Sequence, residues 1–69
     1  MVKELPRAEL VKLLRRDGDV KVRETGSHEI WRVGTCQTAV PKHRTIAPGT
    51  LRKIREHLAP CLGEDWLER

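Results

Sequence analysis

Val20-Lys21-Val22-Arg23-Glu24-Thr25-Gly26-Ser27-His28-Glu29-Ile30-Trp31-Arg32-Val33-Gly34-Thr35 is the stretch whose reading decides the fold. Its first four residues alternate apolar with charged, the period of a half-buried strand, and Thr25-Gly26-Ser27 supplies turn chemistry. A return strand over His28–Val33 completes a hairpin. Gly34-Thr35 reverses the chain again into Gln37–Val40, which Pro41 terminates because proline has no N–H to give a ladder. Strands this short and closely spaced predict an antiparallel meander.

Working outward, Leu10, Leu13 and Leu14 with Val11 recur at the spacing of three and four that marks one face of a helix. Pro6 suits its first turn and Asp17-Gly18 its end, which predicts a helix over Pro6–Asp17. Lys12, Arg15 and Arg16 fall toward its C-terminus, where the macrodipole favours cations. On the other side of the meander, a basic connector, Pro41–Ala47, leads to Pro48-Gly49-Thr50. Leu51, Ile54 and Leu58 then form the apolar face of a second helix, with Ala47 and Thr50 as alternative caps and Pro60 as the stop. Gly63 sets off a last acidic segment containing Trp66, with no structure assigned to it.

The result is an α+β fold of order α-β-β-β-α: a three-stranded antiparallel sheet with two helices burying their stripes against one face. That is the order of the double-stranded-RNA-binding fold, although a fold does not by itself establish a function. The second sheet face stays open. With Ile30 toward the helices, Trp31 falls on that open face, where it would stack on a base or pack against a protein partner.

At 69 residues there is room for one core. With 38% hydrophobic residues and only Trp31 and Trp66 as aromatics, burial rests on Leu, Ile and Val. The formal charge is +4. Because Glu64, Asp65 and Glu68 face Arg69 alone, residues 60–69 carry −2 and the remainder +6, an excess that suits a polyanion such as RNA. No apolar run is long enough for a signal peptide or a membrane span, which points to a reduced cytoplasmic setting. Cys36 and Cys61 read there as ordinary thiols, since disulfide-stapled domains of this size usually carry several bridges.

Of the three histidines, His28 has the most suggestive setting. It opens a strand directly after Gly26-Ser27, where glycine permits a tight turn and the approach of a phosphodiester. Cleaving RNA without a metal needs a base for the 2′-OH proton, an acid for the leaving 5′-oxygen, and cations near the phosphate. His28 suits either proton-transfer role, and Ser27 could bond its ring or the phosphate. Taken alone, the position suits an ordinary polar residue on a hairpin shoulder better than a catalytic one. His43 in Pro41-Lys42-His43-Arg44 reads as a phosphate contact or as part of a solvated charge run. His57, between Glu56 and Leu58, reads as a solvated helix residue. No CxxC, HxH or HExxH spacing is present, so neither a metal nor another cofactor is implied.

Four motifs, taken together and in order, resemble the HicA family of type II toxin–antitoxin systems, small mRNA interferases. They are the Leu10, Leu13, Leu14 stripe with Asp17-Gly18; Gly26-Ser27-His28 followed by Ile30; Val40-Pro41-Lys42-His43; and Gly49-Thr50-Leu51 with Ile54. The resemblance runs from about Leu5 to Leu58, giving a toxin-like domain over residues 1–59 and a C-terminal extension over 60–69. It implies a double-stranded-RNA-binding-like fold and metal-independent endoribonuclease action on mRNA. It also implies a HicB-type antitoxin that covers the active surface, with the free toxin monomeric and the complex a hetero-oligomer. The family's catalytic histidine falls on His28. Candidate RNA contacts are Arg23, Gly26, Ser27, Arg32, Lys42, His43 and Arg44, and Trp31 is the candidate partner contact. The competing reading is a non-catalytic RNA-binding module of the same fold. Asp19 departs from the family, which usually places an aromatic residue after the glycine, so an anchor is missing there.

Overall fold

The computed structural model describes residues 4–68, so Arg69, counted above in the charge of the tail, lies outside it. The elements run β1 (Leu5–Pro6), α1 (Arg7–Arg16), β2 (Val20–Glu24), β3 (His28–Val33), β4 (Cys36–Pro41), β5 (Thr45–Ile46) and α2 (Pro48–Leu62), with a final 3-10 turn at Trp66–Glu68. The meander forms as predicted, in the order β2-β3-β4, all antiparallel. Both helices lie over one face. Leu10 and Leu14 of α1 and Leu51, Ile54 and Leu58 of α2 are buried there with Val40 and Ile46.

Strand parity is the reverse of the expected one. Trp31 pairs with Thr38, and Val33 with Cys36, on the face beneath the helices. Trp31 is 2% exposed, so it is not a partner contact on the open face. Its indole N–H donates to Glu29 Oε1 at 3.3 Å, and the Arg15 guanidinium sits 5.4 Å from the ring centroid on its α1 side. Ile30 and Trp31 are adjacent and both apolar, so the pattern alone does not choose between them; the larger ring fills the space between sheet and helices and releases more surface from water. Both tryptophans are core residues, and burial does not rest on aliphatic side chains alone.

The alternation in β2 does not produce a half-buried strand. All five of its residues are exposed, Val20 and Val22 included. β2 is an edge strand, and a bulge between Lys21 and Arg23 breaks its register, which uncouples sequence parity from face.

The end of α1 explains Asp19. Gly18 adopts φ +88°, its N–H bonds to Arg15 O at 3.2 Å, and the Asp19 N–H bonds to Leu14 O at 2.9 Å. This is a Schellman closure, in which the residue after the glycine normally contributes an apolar contact back to the helix. Here that place holds a carboxylate. Asp19 is 4% exposed and both carboxylate oxygens lack a hydrogen-bond partner among the described residues. Burial, and secondarily the neighbouring Asp17 charge, pushes its pKa up to about 6.

Around α2 the structure settles one open choice and overturns two expectations, Pro60 as the stop and the cysteines as free thiols. Ala47 is the cap residue, extended at φ −67°, ψ 153°, with Pro48 in the first turn; Thr50 lies inside the helix. Pro60 does not stop α2, which continues to Leu62 and ends at Gly63 with φ +95°. A proline there removes a single i to i−4 bond close to the helix end, where little of the ladder remains to be lost. Cys61 is consequently still helical, and it forms a disulfide with Cys36 at the start of β4, with the Cα atoms 6.2 Å apart. The two are therefore not free thiols. The acidic segment after Gly63 folds back, burying Trp66 completely, with its indole N–H donating to Arg55 O at 3.1 Å and Glu68 paired with Arg55 at 3.2 Å.

Two short strands not foreseen from the sequence, β1 and β5, pair antiparallel with Leu5 opposite Ile46. The Arg7 N–H continues the contact to Arg44 O at 2.9 Å. Together they fasten the basic connector to the start of α1.

Candidate functional site

The β2–β3 turn presents His28. Thr25 closes it: its N–H donates to His28 O at 2.8 Å, and its Oγ1 accepts from the His28 N–H at 3.0 Å. From the far side, the Lys42 N–H bonds to Ser27 O at 3.0 Å, tying the turn to the connector. Gly26 does not adopt positive φ, so the turn itself does not demand glycine; a Cβ there would meet nothing within 4 Å. Ser27 Oγ lies 2.9 Å from His28 Nδ1, which fixes the ring and leaves Nε2 as its free nitrogen.

His28 is exposed at the rim of a hollow of about 480 Å³. Ala39 and Pro41 of β4, His43 of the connector and Thr45 of β5 contribute to its wall. The rest comes from the start and one face of α2: Ala47, Thr50, Lys53, Ile54 and His57. The helical spacing of Thr50, Lys53 and His57 places them one above another, so the hollow runs along α2 from its N-terminal turn. That turn offers unsatisfied N–H groups and the positive end of the dipole, and Lys53 adds a full charge. All three histidines line this one hollow. His57, which the sequence set aside as a solvated helix residue, has its Nδ1 3.0 Å from the hydroxyl of buried Thr38.

A second hollow, about 530 Å³, lies on the other side of the connector and is lined by Arg7, Ala8, Glu24, Glu29, Lys42, His43 and Arg44. His43 borders both. Around the second hollow the charges form a chain: Lys42 pairs with Glu24 at 2.7 Å, Lys21 with Glu24 at 3.1 Å and with Glu29 at 3.6 Å, and Arg7 with Glu29. The Lys42 ammonium, and after it that of Lys21, holds the Glu24 carboxyl down to about 2, while Glu24 raises Lys21.

Of the candidate RNA contacts, Ser27, Lys42, His43 and Arg44 gather around His28 and the two hollows. Arg23 and Arg32 do not line either one. By register they sit on the open sheet face, Arg32 opposite Val20 and Arg23 opposite Ile30. Sequence reasoning missed Thr50, Lys53 and His57 as a set. Their signal was present: a polar stripe at the same helical period as Leu51, Ile54 and Leu58, displaced by one residue. Among the described residues no group of three or more His, Cys, Asp or Glu is placed to hold a metal, and no helix is long and apolar enough to cross a membrane.

Fold and site together define a small α+β domain of the double-stranded-RNA-binding type, carrying a cationic, imidazole-lined hollow where β3, β4 and α2 meet. The model of a family described as the HicA toxin of bacterial toxin–antitoxin systems matches residues 7–59, and the chain belongs to this family. No curated protein and no solved structure matches the chain. The matched span includes His28, His43 and His57 and ends shortly before the acidic segment that carries Trp66.

Proposed function

We propose that this HicA-family chain is a metal-independent endoribonuclease that cleaves mRNA in the cytoplasm and is restrained by a HicB-type antitoxin covering the histidine-lined hollow. His28 transfers a proton in the reaction. The 2′-hydroxyl loses its proton and attacks the adjacent phosphorus, the bond from phosphorus to the 5′-oxygen breaks, and that oxygen takes up a proton. A 2′,3′-cyclic phosphate and a 5′-hydroxyl result. Lys53, the first turn of α2 and the cations of the connector stabilise the negative charge that gathers on the phosphoryl oxygens. Lys42, His43 and Arg44, with the Gly26-Ser27 turn, hold the RNA backbone at the site, and Arg23 and Arg32 extend the cationic surface along the open sheet face.

The observation that carries this reading is the placement of His28: its ring is fixed through Nδ1 by Ser27, and Nε2 is left for substrate at the rim of a hollow that also holds Lys53. Induced expression tests it, comparing growth and mRNA integrity for the wild type and His28→Ala. The wild type degrades mRNA and arrests growth, whereas His28→Ala does neither. Cleavage by the purified wild type persists in EDTA. Cleavage that survives the substitution, or that EDTA abolishes, refutes the mechanism. Tight RNA binding with the RNA recovered intact would establish a binding module instead.

A further inference from the structure

A single histidine leaves the reaction one proton-transfer group short, and the hollow contains a second histidine prepared in the same way as the first. We infer that His57 is the partner of His28 in proton transfer, so that the two imidazoles form the acid–base pair of this site; this rests on the ribonuclease reading above. His57 reaches the hollow from α2, two turns beyond Thr50, while His28 reaches it from the first residue of β3. Each ring has Nδ1 engaged by a hydroxyl, Ser27 Oγ at 2.9 Å for His28 and Thr38 Oγ1 at 3.0 Å for His57. Each therefore has Nε2 as its remaining nitrogen.

A hydroxyl partner matters chemically. It donates to Nδ1 when the ring is neutral with its proton on Nε2, and it accepts from Nδ1–H when the ring is a cation or the other tautomer. The ring can thus exchange a proton at Nε2 in either direction without losing its anchor. Proton balance over the reaction is complete: one ring takes the 2′-hydroxyl proton as the 2′-oxygen bonds to phosphorus, and the other gives a proton to the 5′-oxygen as that bond breaks.

The third histidine lacks this preparation. His43 lines the same hollow, but among the described residues no hydroxyl, carboxylate or carbonyl holds its ring, which leaves it the role of a phosphate contact. Thr38 adds a second distinction. It is 3% exposed on β4, opposite Trp31, so the group that orients His57 is itself fixed by the core.

The test uses the full chain and an oligoribonucleotide carrying a linkage first mapped as a cleavage site in mRNA. The linkage is made once with the natural 5′-oxygen and once with sulfur, whose departure needs no proton. On the oxygen substrate, His57→Gln and His28→Ala should each lose roughly 10²- to 10⁴-fold in rate, and each should remove one limb of the bell-shaped pH profile. His43→Ala should weaken binding and keep both limbs. On the sulfur substrate one of the two variants, that of the acid, recovers to near the wild-type rate while the other does not.

His57→Gln cleaving the oxygen substrate within threefold of wild type overturns the inference, as does an impaired variant that keeps both pH limbs and gains nothing from sulfur. Glutamine is a good helix former and position 57 is exposed, so thermal unfolding of the variant should match that of the wild type. A measurement without any variant adds to this. Binding of 2′-O-methyl RNA, which lacks the attacking hydroxyl, should shift the ring resonances of His28 and His57 together, and an unmoved His57 overturns the pairing. A wild type that does not cleave instead removes the ribonuclease reading itself, and His28→Ala that cleaves normally removes the role given to His28.

Discussion

Replacing Asp19 with asparagine should stabilise the protein at neutral pH and leave it nearly unchanged in mild acid. The carboxyl occupies the position after Gly18 that ordinarily packs apolar surface onto the helix end, and neither of its oxygens has a hydrogen-bond partner among the described residues. Its pKa is about 6 in the folded chain against an ordinary value of 3.8. Between these values the folded state binds more protons than the unfolded state, so stability falls as pH rises through the window and is flat above it. A difference of roughly two pKa units at ~1.4 kcal/mol each sets the cost of ionised Asp19 near 3 kcal/mol, as an upper limit. The assay is urea unfolding of wild type and Asp19→Asn at pH 4 and pH 7.5. The difference between the two proteins isolates this one group, because every other titrating residue is common to both. At pH 4 the midpoints should nearly coincide; at pH 7.5 the variant should be more stable by up to about 3 kcal/mol. A stability difference that is the same at both pH values would show that Asp19 is not buried as an ionisable group, and a variant less stable at pH 7.5 would reverse the sign of the argument.

Two further outcomes follow from the pairings described above. Reducing the Cys36–Cys61 bond, or replacing Cys61 with serine, frees a loop spanning 25 residues and should cost roughly 3 to 4 kcal/mol on chain-entropy grounds, read as a lowered urea midpoint in dithiothreitol; identical midpoints for the oxidised and reduced protein would count against it. The side chain of Glu24 should titrate near 2 by NMR and move back toward its ordinary 4.5 in Lys42→Ala, because the Lys42 contact is the first cause of its depression; a Glu24 already titrating near 4.5 in the wild type would refute the ion pair.

The elements legible in the sequence were those with a strong period or a strong stop. The leucine stripe of α1, the two reversals of the meander and the Leu51, Ile54, Leu58 face of α2 all stand where the pattern placed them. Trp31 was misplaced because Ile30 beside it is also apolar, and only packing against α1 decides which of two adjacent apolar residues turns inward. The exposure of β2 depends on a bulge, which leaves no mark in an alternating tetrapeptide. β1 and β5 have two residues each, too few to show any period. The disulfide was set aside because a reduced setting was inferred and a lone bridge is unusual in so small a domain; the continuation of α2 through Pro60, which brings Cys61 to the start of β4, is visible only in the fold. Gly26-Ser27-His28 was legible at the site because turn chemistry marks it locally. His57 was not, because its significance lies in what β4 brings to it across the fold: the hydroxyl of Thr38, nineteen residues earlier in the chain.

The clasp between β1 and β5 bears on how this protein is best cut and tagged. The family match begins at residue 7, a natural place to draw the start of a minimal domain, yet Leu5 and Pro6 lie just ahead of it and pair with Ile46 and Thr45. A version trimmed to residue 7 would leave buried Ile46 without its strand partner and free the stretch that carries His43 and Arg44 toward the hollow. Such a shortened protein could remain folded around the meander and still lose the geometry of the hollow, so an inactive truncation would not count against the proposed reaction. Boundaries for expression belong upstream of Leu5, and affinity tags are better joined there through a flexible spacer than set directly against the pairing.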